Sequence, residues 1–250
     1  MRIAVAGGSG LVGRHVVDAA QHQGHQVVVL SRSNGIDVRS GQALASALDG
    51  VAAVVDVTNP GSGERDGPMA FFADVAGRLQ SVGAACGVSH IVTLSIVGIE
   101  RAPENRYYAA KLRQEQLALA GPVPATVLRA TQFHEFAVQM LRRTRRDTGA
   151  HVPNMRVQSV AARTAASVLV ELASGLPVGS APDLGGPEQA DLVTLARKFV
   201  EHFGLRIPVV AAAPDPTVPY GATLPGPGAR LERPTFDEWL ETEDAARLAV

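Results

Sequence analysis

Short apolar runs alternate with helical patterns along the first half of the chain. Between the runs, apolar residues recur at three- and four-residue spacing, for instance at Phe72, Val75 and Leu79. Buried strands that alternate with amphipathic helices are typical of a parallel sheet covered on both faces. The sequence therefore predicts an α/β fold with a doubly wound parallel sheet. Its predicted strands are Ile3–Ala6, Gln26–Leu30, Val51–Val57, His90–Ser95 and Ala125–Ala130.

The pattern changes near residue 150, where proline becomes more frequent and the elements become shorter. We expect one domain over residues 1–250, with a core of about 1–150 and a small C-terminal part of about 151–250. The elements predicted here are a helix from His134 to Arg146, a strand Met155–Val160, a helix 161–173, a helix Asp191–His202, a last strand Ile207–Val210, a proline- and glycine-rich loop 213–233 and a terminal helix Phe236–Leu240.

A glycine-rich turn joins the first predicted strand to the first predicted helix. Its glycines fit two spacings, Gly8-x-Gly10-x-x-Gly13 and Gly7-x-x-Gly10-x-x-Gly13. Both suit a turn whose backbone lies close to a pyrophosphate, which the first amides of the helix and its dipole would bind. The sequence therefore predicts a Rossmann-type dinucleotide site. Its residues are Gly7, Gly8, Ser9, Gly10, Leu11, Val12 and Gly13.

Residues after the second and third strands indicate which dinucleotide is bound. An NAD-selective site usually carries an acidic residue about 20 residues past the glycines, whereas this chain has Arg32, whose planar donors suit a 2′-phosphate. We therefore expect NADP(H) rather than NAD(H). Asp37 and Val38 fit a short strand beside the adenine. Asn59 is predicted either to lie near the nicotinamide ribose or to act only as a turn residue.

Three further residues have the chemistry of carbonyl reduction. Ser95 ends the fourth predicted strand, and Tyr107 and Lys111 lie four residues apart in a helical stretch, so both project from one face. We expect the Lys111 ammonium to lower the pKa of the Tyr107 phenol and to hold the nicotinamide ribose. Ser95 would orient the substrate carbonyl while Tyr107 protonates its oxygen. Tyr108 competes with Tyr107 for this role, because an offset of three also shares a face.

These motifs resemble a known family. The segments Gly7–Gly13, Ser95–Ile99, Tyr107–Lys111 and Leu128–Phe133 are similar to those of the atypical short-chain dehydrogenase/reductases of the NmrA-like group, as are residues 185–188 and 235–240. The resemblance implies a Rossmann fold, NAD(P)(H) binding and, in many members, reduction of quinones or conjugated carbonyls. The NmrA-like group also includes regulators that bind the dinucleotide without turnover. Ser159 and Thr164 depart from the family pattern, and no counterpart of its catalytic asparagine is assigned.

The strand Ala125–Ala130 leads into residues predicted to line the substrate pocket, Gln132 and Phe133. His134 follows them and is interpreted as a helix-start residue rather than a second acid. The C-terminal part, with its proline-rich loop, is expected to cover the substrate. We predict an NADP(H)-dependent oxidoreductase acting on a small apolar carbonyl or quinone. The alternative is a non-catalytic NADP(H) sensor that regulates a partner protein.

Composition narrows the remaining classes. A formal net charge of −1 over 250 residues gives no argument for nucleic acid, and the four arginines at 142–146 lack interleaved aromatics. The single cysteine, Cys86, excludes an intramolecular disulfide and a cysteine-rich metal site. No apolar run reaches the roughly 20 residues of a membrane span. We expect a cytoplasmic protein with a small-molecule substrate, no metal and no membrane partner; no sequence feature sets its oligomeric state.

Overall fold

The computed structural model of the protein describes residues 1–61 and 67–249. Its strands are β1 Arg2–Ala6, β2 Gln26–Leu30, β3 Ala53–Asp56, β4 His90–Ile96, β5 Ala125–Ala130, β6 Arg145–Arg146, β7 Gly149–Pro153, β8 Arg156–Val157, β9 Gly179–Ser180, β10 Leu184–Gly185, β11 Ala190–Asp191, β12 Val209–Ala212 and β13 Arg230–Leu231. Its helices are α1 Leu11–His22, α2 Gly41–Ala47, α3 Gly67–Ala85, α4 Arg106–Ala120, α5 His134–Arg143, α6 Ala162–Ser174, α7 Leu192–His202, α8 Phe236–Leu240 and α9 Glu243–Ala246.

The predicted α/β class is confirmed. The described strands of the central sheet follow the order β2-β1-β3-β4-β5-β10-β13, with β9 also pairing with β5. Ala4 of β1 lies between Val28 of β2 and Val54 of β3, in parallel register on both sides. The strands of a parallel sheet are mainly apolar, which explains why β1, β2 and β5 were recognisable as apolar runs, although β5 also contains Thr126 and Arg129. The fold is a Rossmann-type doubly wound sheet.

The chain divides into two compact units. The first unit consists of Met1–Ser95, Asn105–Arg129 and Ala165–Pro182, and the second of Ile96–Glu104, Ala130–Thr164 and Asp183–Val250. In the first unit, α2 and α3 pack on the strands around a buried apolar cluster that includes Leu30, Leu44 and Leu79. The apolar stripe expected on α3 is therefore core, as the helical spacing predicted.

The second unit has an aromatic core. The rings of Phe236 and Trp239 on α8 pack on each other and on His134 at the start of α5, at centroid distances of 5.3 and 5.5 Å from the imidazole. Thr235 and Glu238 form a reciprocal capping box that starts α8. Burial lowers the pKa of His134 to about 4, so the imidazole is neutral and structural, in agreement with the interpretation of His134 as a helix-start residue.

Several predicted elements are wrong. Asp37 and Val38 form no strand, because the Asp37 carboxylate accepts from the Arg39 amide at 2.9 Å and makes a turn instead. The helix that starts at His134 ends at Arg143 rather than Arg146. Arg145 and Arg146 form β6, which pairs antiparallel with β7.

The C-terminal strands are also displaced from their predicted positions. The strand expected at Met155–Val160 is reduced to β8, with two residues. The strand expected at Ile207–Val210 is β12, which begins at Val209 and pairs with β7. It is not the last strand, because β13 lies inside the segment predicted as a loop. Strands of two residues are defined by their partners and leave little periodicity in the sequence.

Candidate active site

The glycine-rich turn between β1 and α1 has the geometry of a close-packed backbone loop. Gly7 has φ +82°, a conformation that other residues rarely adopt. A Cβ on Gly13 would overlap the Gly7 carbonyl oxygen and lie 2.6 Å from Gly8 Cα. The first glycine therefore turns the chain and the third lets α1 approach β1. The positive φ of Gly7 fits the Gly7-x-x-Gly10-x-x-Gly13 spacing, in which the first glycine makes the turn.

The start of α1 leaves donors available at this turn. Gly10 is the N-cap residue and supplies no side-chain acceptor, and the first intrahelical bond runs from the Arg14 amide to the Gly10 carbonyl at 3.1 Å. The amides that precede Arg14 in the first turn have no hydrogen-bond acceptor within the helix. Ser9 and Gly10 are exposed, whereas Gly8 and Val12 are buried. A cradle of backbone amides that a Cβ would fill fits the diphosphate of a dinucleotide.

Arg32 lies at the carboxyl end of β2, in a short 3₁₀ turn over Arg32–Asn34. Its side chain is exposed, and its guanidinium lies beside the turn after β3, since a Cβ on Gly61 would be 3.6 Å from its terminal nitrogen. Asp37 uses its carboxylate in the local turn, and Val38 is a core residue with 6% of its surface exposed. Arg32 is thus an exposed cation at this end of β2.

Tyr107 lies in the first turn of α4, which begins after Asn105. The Asn105 side chain accepts from the amides of Tyr107 and Tyr108 and so caps the helix. The Tyr107 hydroxyl donates to Asn59 Oδ1 at 2.8 Å. Asn59 follows β3, so one hydrogen bond links the turn after β3 to the helix that carries the predicted acid.

The expected effect of Lys111 on Tyr107 is not what the structure shows. Burial, with a smaller contribution from Tyr108, raises the pKa of Tyr107 to about 12. The Lys111 ammonium instead donates to the Leu94 carbonyl and to Gln114 Oε1, both at 2.6 Å. The sequence placed Tyr107 and Lys111 on one helix face correctly but did not reveal where the long lysine side chain would end.

Lys111 is one of the most buried charged groups of the first unit. It is 5% exposed, and its ammonium lies 4.7 Å from the centre of the Phe72 ring. Burial lowers the pKa of Lys111 to about 8, although the carboxylates of Asp56 and Glu115 oppose this shift. An ammonium with this pKa changes its charge close to neutral pH.

Ser95 ends the part of β4 that belongs to the first unit. It is 2% exposed, and none of the described residues is a hydrogen-bond partner of its hydroxyl. An unpaired buried hydroxyl costs free energy unless a ligand satisfies it. The arrangement at the carboxyl ends of β3 and β4 therefore provides a free hydroxyl, a protonated phenol and a buried amine.

The predicted pocket residues belong to the second unit. Gln132 bonds through its backbone carbonyl to the Val160 amide at 3.0 Å, and Phe133 pairs with Val160 and is the N-cap residue of α5. Gln132 Oε1 is buried, and no partner for it occurs among the described residues. Its side chain therefore retains one unused acceptor.

Two residues of the site were not predicted as functional. Asp56 is the single polar residue of its strand, and its Oδ2 accepts from Gln114 Nε2 at 2.7 Å. Gln114 is the residue that Lys111 contacts. The polarity of Asp56 in an apolar run was a usable signal, whereas the pairing of residues so distant in sequence was not.

Neither a group of metal ligands nor a helix able to span a membrane occurs among the described residues. Within residues 1–61 and 67–249, His, Cys, Asp and Glu side chains form no group able to hold a metal ion. No described helix combines the length and the apolar character that a membrane crossing requires.

The fold and the glycine turn define a Rossmann-type nucleotide-binding protein. The sequence model of the NAD dependent epimerase/dehydratase family matches residues 3–131, just over half of the chain. The chain therefore belongs to that family, within which the turn, β3 and the Tyr107–Lys111 helix all fall. Among the curated proteins, none matches the sequence.

Solved structures share the fold. A short-chain dehydrogenase/reductase superfamily protein from Agrobacterium tumefaciens with bound NAD is 22% identical, covers 99% of this chain and 97% of its own, and has a TM-score of 0.71. The dTDP-glucose 4,6-dehydratase of Streptomyces venezuelae, with NAD bound, is 18% identical with the same coverage and a TM-score of 0.74. An NADPH-dependent quinone oxidoreductase from Escherichia coli, complexed with NADPH, is 19% identical, covers 84% of this chain and 78% of its own, and has a TM-score of 0.64.

Proposed function

We propose that the protein is an NADP(H)-dependent oxidoreductase of the NmrA-like group that reduces a small apolar carbonyl or quinone. The observation that carries the proposal is the unpaired Ser95 hydroxyl in the same unit as Tyr107 and the glycine turn. A buried donor without a partner calls for an explanation, and a ligand that uses it would supply one. A carbonyl oxygen is the ligand that a serine hydroxyl and a phenol would bind together.

The side chains divide the work of a reduction. The nicotinamide ring of a bound NADPH supplies the hydride. Ser95 donates to the carbonyl oxygen and fixes its direction, and Tyr107 gives up its proton to that oxygen. Because its pKa is raised to about 12, Tyr107 stays protonated throughout the neutral range and is suited to the reductive direction. In the structure the Tyr107 hydroxyl donates its single proton to Asn59 Oδ1, so the substrate oxygen would take the place of Asn59 as the acceptor. Gln132 and Phe133 are proposed to line the substrate pocket.

Arg32 supports NADP(H) as the preferred dinucleotide. Its guanidinium is exposed at the end of β2, where an acidic side chain would hold the ribose hydroxyls of NAD. A positively charged arginine side chain can donate two parallel hydrogen bonds to a phosphate group. The quinone oxidoreductase with this fold is NADPH-dependent, whereas the other two similar structures contain NAD. The preference therefore depends on Arg32 rather than on the fold.

Replacing Arg32 by alanine is expected to weaken NADPH binding by about 10- to 100-fold, since a charge-assisted hydrogen bond contributes about 1.5–3 kcal/mol. NADH affinity should change by less than about threefold. Both affinities can be measured by fluorescence titration. Arg78→Ala removes the same charge from the exposed face of α3 and serves as the matched control. An Arg32→Ala variant with wild-type NADPH affinity would remove the argument for NADP(H).

A non-catalytic NADP(H) sensor is the second candidate, and one observation favours it. The Lys111 ammonium already donates to Leu94 and Gln114, so two of its three N–H donors are used inside the protein. A sensor needs the dinucleotide turn but not a proton donor in working order. The two candidates therefore share their binding site and differ only in turnover.

The deciding experiment is NADPH consumption against a panel of quinones and aldehydes. The oxidoreductase is expected to consume NADPH with at least one member of the panel, and product formation should match the NADPH lost. Binding of NADPH should be measured in parallel by calorimetry. A protein that binds NADPH tightly and is inert with the whole panel is a sensor, and the oxidoreductase proposal then fails.

A further inference from the structure

Lysine is rare in this protein. Of its 23 lysine and arginine residues only two are lysines, Lys111 and Lys198. Lys198 lies on the surface of α7 and is paired with Asp237 at 2.7 Å. Lys111, by contrast, is buried. An arginine cannot lose its charge in a protein, whereas a buried lysine can. A chain that uses arginine almost everywhere thus has a titratable cation at a buried position of the site.

The ammonium of Lys111 is held from three directions. Leu94 on β4 and Gln114 on α4 each accept a hydrogen bond of 2.6 Å, and the Phe72 ring on α3 faces it at 4.7 Å. The ring face is the negative part of its quadrupole and favours a cation. Of these three contacts, Gln114 is the one made by a polar side chain, since the other two are a backbone carbonyl and an aromatic ring in the core.

The orientation of the Gln114 amide follows from its two neighbours. The Lys111 ammonium is only a donor, and a carboxylate such as that of Asp56 is an acceptor. Gln114 therefore turns its oxygen to Lys111 and its nitrogen to Asp56, with bonds of 2.6 and 2.7 Å. The Asp56 carboxylate is fixed in turn by the amide and the hydroxyl of Thr58 at 3.0 and 2.7 Å. These bonds form a continuous relay from the turn after β3 to the lysine.

Asp56 is the carboxylate that this relay of hydrogen bonds connects to the Lys111 ammonium. Two carboxylates act on Lys111, Asp56 from β3 and Glu115 from its own helix. Glu115 forms a two-point ion pair with Arg129 on β5 at 2.9 and 2.7 Å, so its charge is largely matched. The bonds that Asp56 accepts come from the neutral donors of Thr58 and Gln114. The Gln114 amide connects Asp56 to the cation that balances its charge, the Lys111 ammonium.

We propose that Asp56 and Gln114 are positioning residues that hold the Lys111 ammonium in place and in its charged form for the reduction. The inference rests on the proposed oxidoreductase function. Asp56 orients the amide, the amide orients the ammonium, and neither residue touches the reacting atoms. The relay explains why an otherwise apolar strand ends in a buried aspartate.

The charge of Lys111 can be followed directly. Protein labelled with ¹³C- and ¹⁵N-lysine gives signals from two side chains only, and Asp237→Asn identifies the one from Lys198. In the wild type, the Lys111 signal should titrate near pH 8. Asp56→Asn should move this titration to lower pH, because the carboxylate that favours the ammonium is gone. Glu115→Gln should move it less. An unchanged Lys111 titration in Asp56→Asn overturns the proposal.

A charge exchange separates positioning from mere structural support. Gln114→Glu combined with Asp56→Asn keeps the total charge. The carboxylate then lies at position 114, beside the Lys111 ammonium, and the amide at position 56 can donate a hydrogen bond to that carboxylate. The double variant should restore or raise the Lys111 titration, whereas Asp56→Asn alone lowers it. NADPH affinity at pH 8 should fall by about tenfold in Asp56→Asn and return in the double variant. Affinity that ignores both changes contradicts a positioning role.

Turnover gives the last discrimination. If the relay serves the reaction, the alkaline limb of kcat in Asp56→Asn shifts to lower pH together with the Lys111 titration, and thermal unfolding shows that the variant remains folded. A Lys111 titration that moves without the limb assigns the relay to stability only and overturns the proposal. If the wild type has no turnover while lysine titration and NADPH affinity respond as expected, the oxidoreductase function fails and the relay remains as part of the binding site.

Discussion

Gly13→Ala is expected to abolish dinucleotide binding and to destabilise the first unit. The new Cβ would overlap the Gly7 carbonyl oxygen and lie 2.6 Å from Gly8 Cα. Both atoms belong to the backbone, so no side chain can rotate away and α1 must move off β1. Overpacking of this kind costs about 3 kcal/mol or more where the backbone has to shift. We expect NADPH affinity to fall by at least about 100-fold, because the first-turn amides move with the helix.

Two other glycines separate the steric effect from a general one. Gly77→Ala on α3 meets no atom within 4 Å and should stabilise the protein by about 0.5–1 kcal/mol. Gly10→Ala places an exposed methyl group 3.2 Å from the Gly7 carbonyl, so it should fold while weakening NADPH binding. Denaturant unfolding and NADPH titration measure the two effects. Wild-type stability and affinity in Gly13→Ala would refute the close-approach argument.

The parallel core was predictable because its strands are short, mainly apolar runs bounded by turn residues. Gln26–Leu30 and Ala125–Ala130 were predicted to the residue. The short helix Phe236–Leu240 was also predicted with the right bounds, but α9 follows it, so it is not the terminal helix. These elements are defined by their own residues, so local patterning was sufficient.

The short strands of the second unit were not predictable in the same way. A strand of two residues such as Arg145–Arg146 exists because a partner strand lies beside it. At Asp37, the hydrogen bond that its carboxylate accepts from the Arg39 amide outweighed the apolar neighbour that suggested a strand. In both cases, a contact decided the local conformation rather than the residue's own preference.

The site shows the same limit. The i, i+4 spacing of Tyr107 and Lys111 was visible, but the end point of the lysine side chain depends on Gln114 and on Asp56, far away in sequence. The pKa values followed from this packing: burial raised that of Tyr107 and lowered that of Lys111. Charge arguments made from spacing alone therefore had the wrong sign for Tyr107.

Tyr107→Phe is expected to lower kcat by about 10²–10⁴-fold, the contribution of a positioned proton donor. The phenylalanine ring can keep the edge contact with Phe72, whose centroid lies 5.8 Å away, so the fold should be preserved. NADPH affinity should change by less than about threefold, since the phenol acts on the substrate oxygen rather than on the diphosphate. Single-turnover kinetics and NADPH titration provide the two readouts.

Tyr108→Phe is the matched control, because it removes the same hydroxyl one residue further along α4. If Tyr107 is the acid, Tyr108→Phe keeps most of the wild-type rate; the reverse pattern assigns the proton to Tyr108. The pH profile adds an independent check. With a pKa near 12, Tyr107 remains protonated well above neutral pH, so it produces no alkaline limb below about pH 11. A limb near pH 8 belongs to Lys111. Such a limb should therefore persist in the residual activity of Tyr107→Phe, and its disappearance would show that the phenol, not the amine, titrates there.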